Sequence, residues 1–502
     1  MISTRRFAAG AALGVVCALS SIHAGAQPWR SNFNRLVQDG KPSNALQYLW
    51  LQTARGTRPE EHVDRALLLE SLGFPLTAMR EWTSAATANP RLSRALEGLG
   101  QGALIWDRLG SINAVAKAAN AAGVSVAQWP VSFRVAVALN ALRGGSASLA
   151  ASVIPSERDL ASIRDLQARR AAALHLSAMQ WALGNPRAAA QTLNSVSGAD
   201  TSAETGVLRL QASRAYYEIG QMTESLEQLV RLPRNSGAWY PGVLVGAWAA
   251  YRLKDYNLAL GQLLTLHSPY LNDKFAPESY VLEASTLFQI CQFASAQKSI
   301  TRLRQKYSKV ISAAQAFARA QSNSTSRVSA VVNYARGQRQ APLGVDASAW
   351  ALVMDALLQE DVVARTDRML LQVQFESENF EKIFPGTSQP LLAGLRARYQ
   401  AELNYARIEA YRDGVRAINR RLRTLRDDVA AAFENAALVE VEINTRIRER
   451  LVDSKIPTAV AVDFEADVRK GYEFWPFEGE FWRDEAGSYA FATTNVCGEQ
   501  NL

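Results

Sequence analysis

Between Tyr472 and Tyr489 the chain reads YEFWPFEGEFWRDEAGSY, in which Glu473, Glu478, Glu480, Asp484 and Glu485 are interleaved with seven aromatic rings. Two carboxyl groups in unlike surroundings can serve as an acid–base pair, because an apolar pocket keeps one of them protonated. The same mixture suits a protein-binding surface, where buried aromatic anchors carry most of the energy. A third reading lets the rings cover the end of a helical body, burying about 150 to 250 Å² each. Pro476 and Glu478-Gly479 suggest a hairpin turn between YEFWPF and EFWRDE. As binding residues, Trp475, Trp482, Glu480 and Asp484 are the candidates on this module.

Other chemistry is sparse. His62, His175 and His267 stand far apart in helical sequence, so each reads as a structural or surface residue. HExxH, CxxC and an acidic calcium loop are all missing, and no metal or other cofactor is expected. Gly98, Gly100 and Ala103 match GxGxxA in form, but no strand precedes them to build a phosphate cradle. No catalytic residue is nominated, and the chain is read as a non-enzyme.

The elements that would position any site are helical. The segments LLLESLGFPLTAMREW, ALIWDRLGSINAVAKA, AMQWALGNPRAAAQTL, AYYEIGQMTESLEQLV and AAYRLKDYNLALGQLL share one layout: a bulky residue, a pivot Leu or Ile, a short turn, then a small residue six positions beyond the pivot. The pivots are Leu72, Leu109, Leu142, Leu183, Ile219, Leu253 and Ile290, and the small partners are Ala78, Val115, Ser148, Ala189, Ser225, Ala259 and Ala296. A small side chain early in the second helix lets it approach the first closely. One such pair cannot bury its apolar face, so neighbours must stack. The unit NALRGGSASLA is degenerate. On this pattern residues 32–310 resemble the tetratricopeptide-repeat family, and the resemblance implies a helix-turn-helix solenoid.

Residues 284–345 hold no acid and nine cations: Lys298, Arg302, Arg304, Lys306, Lys309, Arg319, Arg327, Arg336 and Arg339. They form either a solvated basic face or an electrostatic dock, for an acidic partner, an anionic envelope polymer or the acidic tail itself, with Arg302, Arg304 and Lys306 as the residues to test. QSNSTS and ARGQRQAPLG read as loops. Beyond them, Trp350 to Lys455 reads as two long helices broken by FPGTSQP. In the second, Ile408, Tyr411, Val415, Ile418, Leu422, Leu425, Val429, Ala432, Ala436, Val439 and Ile443 alternate three and four apart, a coiled-coil seam. Its simplest partner is the first helix; the poorer register there leaves room for self-association or for another protein.

Arg5-Arg6, the apolar run Phe7 to Leu19 and Ala24-Gly25-Ala26 have the form of a secretory signal cut after Ala26. Removing it lowers the formal charge from +8 to +6, mild enough to exclude a dedicated nucleic-acid binder. No later run is long and apolar enough to span a membrane, so association with membrane or cell wall would be peripheral. A soluble periplasmic protein is expected. Cys291 and Cys497 remain, and an oxidising compartment permits one bridge without the sequence deciding whether it forms.

The expectation is therefore an all-α protein: signal peptide 1–26, tetratricopeptide-like solenoid 27–310, basic linker or helix 311–347, antiparallel coiled-coil hairpin 348–455, and aromatic-acidic module 456–502. Its expected role is to hold other envelope proteins. WPFEGEFWRDE is similar to the tail of tetratricopeptide-type envelope proteins of gliding and predatory bacteria, which implies membership of a multi-protein envelope or motility complex. The competing class binds or cleaves cell-wall glycan. Glu376-Ser377 in VQFESENF resembles the Glu-Ser of soluble lytic transglycosylases, whose Gly-Leu-Met-Gln segment is not found here.

Overall fold

The computed structural model describes residues 29–53, 56–198, 202, 205–321, 323–383, 390–453, 479–491, 493, 495 and 497. The leader and Trp475 lie outside the described residues, as does YEFWPF. Among the described residues are twenty-one α-helices and no strand. In order they are α1 Arg30–Gln38, α2 Pro42–Gln52, α3 Pro59–Ser71, α4 Pro75–Ala88, α5 Ser93–Trp106, α6 Ile112–Ala121, α7 Val131–Arg143, α8 Ala147–Val153, α9 Leu166–Ala182 and α10 Pro186–Ser197. There follow α11 Gly206–Glu218, α12 Met222–Val230, α13 Trp239–Arg252, α14 Tyr256–Leu266, α15 Glu278–Gln289, α16 Phe293–Tyr307, α17 Val310–Ala320, α18 Ser324–Ala335, α19 Ala347–Leu358, α20 Asp361–Ile383 and α21 Pro390–Asp453. They form two compact units: unit 1 comprises Met1–Val196 and Arg365–Tyr411, unit 2 Ser197–Ala364 and Arg412–Leu502. The 27–310 stretch thus contributes to both units.

Five of the seven pivots mark where first helices stop, whereas Leu109 lies beyond the end of α5 and Leu142 within α7. Leu72, Leu183, Ile219, Leu253 and Ile290 are the residues that close α3, α9, α11, α13 and α15. The residue after each is left-handed: Gly73, Gly184, Gly220, Lys254 and Cys291, with φ between 60 and 83°. The next two amides fold back, as when Gly184 donates to the Trp181 carbonyl and Asn185 to that of Gln180, which satisfies carbonyls the helix leaves open. The second helix then starts on Pro75 or Pro186, whose missing N–H costs nothing there, or on a cap such as Asp255, which accepts from the Leu258 amide.

Six of the seven small partners are buried, and Ser213 meets Ser225 across the α11–α12 pair at 2.8 Å. Ser148 is exposed on α8, which has only seven residues, so the degenerate unit also ends in the shortest α-helix among the described residues. Gly98 and Gly100 owe their place to packing: a Cβ on Gly98 would meet the Trp82 ring at 2.5 Å, and one on Gly100 would collide with the Phe133 backbone of α7. In each unit consecutive helices pack in pairs, α3–α4 and α7–α8 in the first, α11–α12, α13–α14 and α15–α16 in the second.

The long hairpin departs from expectation in two ways. Its first arm is broken between α19 and α20, where the Asp355 carboxylate takes the Phe275 amide at 2.9 Å and Gln359 reaches back to the Phe275 carbonyl at 3.0 Å. Its second arm is a single 64-residue helix whose seam changes partner along its length. In unit 1, Met369 and Val373 of α20 pack with Leu403, Ala406 and Ala410 of α21. In unit 2, Glu440 of α21 receives Gln297 and Arg304 of α16, and Asn419 receives Arg327 of α18. Ile418, Leu425, Val429, Ala432, Ala436 and Ile443 are buried within the single chain, so no second copy is needed to cover them. Ile408, also placed on that seam, is 62% exposed.

Candidate functional site

Residues Gly479–Phe491 contain neither helix nor strand. Local hydrogen bonds shape them into a loop: the Trp482 amide donates to the Tyr489 hydroxyl at 2.8 Å, and that hydroxyl donates back to the Trp482 carbonyl at 2.8 Å. This strap lies on α14, in unit 2. The Phe491 amide donates to the Asn257 carbonyl at 2.9 Å, Gln262 donates to the Gly487 carbonyl at 3.0 Å, and the Gly487 amide donates to the Thr265 hydroxyl at 2.9 Å. Tyr270 donates to the Phe481 carbonyl at 3.0 Å, and Arg234 donates to the Asp484 carbonyl and to Ser488.

Two glycines permit the approach. A Cβ at Gly261 would run into the Tyr489 carbonyl, and one at Gly487 would touch the Trp239 ring at 3.0 Å, where φ is also +89°. At the far end Cys497 is joined to Cys291 by a disulfide, so the bridge the sequence left open is formed. Cys291 occupies the left-handed position that Gly73, Gly184 and Gly220 hold in other pairs.

The hydrogen bonds of the strap run to residues 234–271, and its disulfide end reaches Cys291 in the basic 284–345 stretch. It is the Asp484 carbonyl, not its carboxylate, that Arg234 holds, and Asp484 and Glu485 are exposed. Trp482 is 43% exposed. Because the clasping bonds run mostly through the strap's main chain, Trp482, Arg483, Asp484 and Glu485 are left on its outer side. Glu480 is partly buried.

Four cations of the basic stretch pair with acids elsewhere in unit 2. Arg302 donates to Glu283 at 2.8 Å, Arg304 to Glu440 at 2.6 Å, and Lys306 stands over the Tyr280 and Tyr307 rings at 5.6 and 5.9 Å. Burial pushes the Lys306 ammonium down to about 8. Lys309 meets Asp346 and Arg339 meets Asp273. Burial alone would raise Glu283, yet His267, Arg302 and the Ser299 hydroxyl hold it down to about 2.

Glu376, the residue a glycosidase reading would use, is fully buried in unit 1 and serves as a helix cap supplied from α20. It accepts from the Leu76 and Thr77 amides at the start of α4, from the Thr77 hydroxyl, and from Gln372 at 2.9 Å. Burial pushes it up to about 7 against those four donors. Both oxygens are thus committed to α4, and neither is presented to a sugar.

Sequence reasoning did not bring His62, Arg65, Glu81 and Tyr399 together, although they meet in a polar cluster of unit 1. No protein-family model and no curated protein matches the chain.

Proposed function

We propose that this chain is a non-catalytic scaffold of the cell envelope, exported to the periplasm, that binds other proteins and belongs to a multi-protein envelope or motility complex. The observation that supports it best is the strap, which main-chain hydrogen bonds and a disulfide fasten to unit 2 with Trp482 and Asp484 outermost. A disulfide suits an oxidising compartment. A half-exposed tryptophan among charges suits a protein contact, where such rings act as anchors. Peptidoglycan binding is the competing reading, and the commitment of Glu376 to capping α4 speaks against a lytic form of it.

The test places a photo-crosslinking side chain at position 482 of the full chain in its native envelope. Scaffold function expects discrete protein adducts that Asp484→Asn weakens, and little retention on purified peptidoglycan. Strong glycan retention with no protein adduct would replace this reading by the competing one.

A further inference from the structure

Unit 1 contains a cavity of about 290 Å³ between α3, α4 and α21. Its floor is a buried ion cluster. The Glu81 carboxylate, 3% exposed, accepts from His62 Nδ1 at 2.5 Å and from the Tyr399 hydroxyl at 3.0 Å, with Arg65 Nη1 3.7 Å away. Burial works against ionisation, but His62, Arg65 and Tyr399 hold Glu81 below the usual carboxylate range. Each Glu81 oxygen already accepts one hydrogen bond, and as an anion Glu81 does not attract a second anion, so it sets the floor in place.

Arg65 is 1% exposed. Its guanidinium lies 4.1 Å from the centre of the Trp50 ring and donates to Thr53 and Thr57, yet its Nε has no partner among the described residues. Two further cations line the cavity, Arg80 and Arg398, and neither has an ion-pair partner among the described residues. The Thr57 and Ser84 hydroxyls complete the polar wall. Three guanidiniums line the cavity with one carboxylate, Glu81, and a second carboxylate, Glu61, acts on Arg65 from outside the lining. A buried guanidinium with an unmade donor is costly, and a surplus of positive charge around it adds to that cost. A counter-anion entering from solution removes both costs. The volume falls just below the range of pockets for drug-sized ligands, which limits the guest to a headgroup.

We propose that this cavity is a binding site for a small oxyanion, a phosphoryl or carboxylate group, held by the forked guanidiniums of Arg65, Arg80 and Arg398. The fork geometry of arginine matches either group in bidentate fashion. The site is independent of the strap and of the scaffold reading, and its failure would leave both standing.

The experiment is titration calorimetry and thermal melting of the full chain with inorganic phosphate, with malonate, and with chloride at matched ionic strength. Phosphate or malonate should bind saturably and raise the melting temperature where chloride does not, and whichever binds more tightly identifies the group. The paired variant Arg80→Gln with Arg398→Gln should weaken that binding about tenfold or more, each lost charge-assisted bond accounting for a large share. Arg398 is exposed and Arg80 half-buried, so this variant is expected to fold. An unchanged affinity in the folded double variant, or a response to phosphate and malonate no different from chloride, would overturn the proposal.

Discussion

Unit 2 carries the strap along α14, beside a cavity of about 240 Å³ lined by Lys254, Asp255 and Asn495, whereas the cavity of unit 1 is lined by three guanidiniums. Individual acids in the two units differ in the donors around them. In unit 1, burial pushes Asp64 up to about 6 and Glu376 up to about 7, since their donors do not offset the loss of water, while His62, Arg65 and Tyr399 hold Glu81 down. In unit 2, Glu283 has a histidine, an arginine and a serine around it and is held down to about 2. Counter-charge supplied from within closes a helical stack. Where it falls short, as around Glu376 and Arg65, the stack carries a titratable or ligand-seeking group.

The largest effect should come from breaking the closure of unit 2. The bridge spans 206 residues, and a disulfide closing so long a loop typically contributes 2 to 4 kcal/mol, about 3 here. Cys497→Ser should lower the stability of unit 2 by that amount in denaturant melts and open residues 479–491 to proteolysis. Cys291→Gly loses the same bridge but relieves a left-handed non-glycine residue at φ 60°, so it should cost about 1 kcal/mol less. Equal losses in the two variants would show that the left-handed position is not strained.

Next comes the sign of the pH response. Glu376 has a folded value of about 7 against an ordinary 4.5, so it binds a proton more tightly when folded. Its contribution is fully present below about pH 4.5 and is lost as pH rises through 7, a swing of about 2 to 3 kcal/mol. Glu376→Gln should reduce the fall in unit 1 stability between those values by the part Glu376 contributes, leaving the part that Asp64 and Glu70 contribute. Glu283 runs the other way, its contribution being present above 4.5 and lost as pH drops towards 2. A pH series of amide exchange that shows both units weakening in the same direction would remove the contrast.

How far such features could be foreseen depends on whether they are side-chain patterns. The seven pivots and their small partners were legible because close helix packing needs a small residue at a fixed offset, and Ser148 fails where its helix is shortest. The seam of α21 was legible as a heptad, but its cover was not, since α16 and α18 lie more than ninety residues away. The strap's position left almost no trace: its contacts use the carbonyls of Phe481, Asp484 and Gly487, and only Gly261 hints at a backbone passing close. The cluster under the open cavity joins Glu81 to Tyr399 across 318 residues, beyond any local pattern. The basic stretch showed its charge but not its partners, because Glu283, Glu440, Asp346 and Asp273 come from outside it.

A third test narrows the strap itself. Gly261→Ala places a methyl group where the Tyr489 carbonyl sits, and backbone cannot yield as a side-chain end does. Overpacking of this kind costs about 1 to 3 kcal/mol. The strap should lift from α14 while its disulfide end stays joined, so amide protection at Gly487 and Phe491 should fall with α13 and α14 unchanged. Full protection in the variant would mean that the strap is not seated as described.

The smallest effect concerns Arg304, and it decides what the basic stretch is for. Its ion pair with Glu440 has N···O 2.6 Å, with Arg304 about half exposed and Glu440 a quarter exposed. Exposed pairs contribute about 0.2 to 1 kcal/mol and are screened by salt. Arg304→Ala should therefore cost about 0.5 kcal/mol at low ionic strength and less at high salt, with adduct formation at position 482 unaffected. A dock for an outside anion predicts the reverse, unchanged stability and weakened capture, because a cation held ready for a partner does not hold α16 to α21.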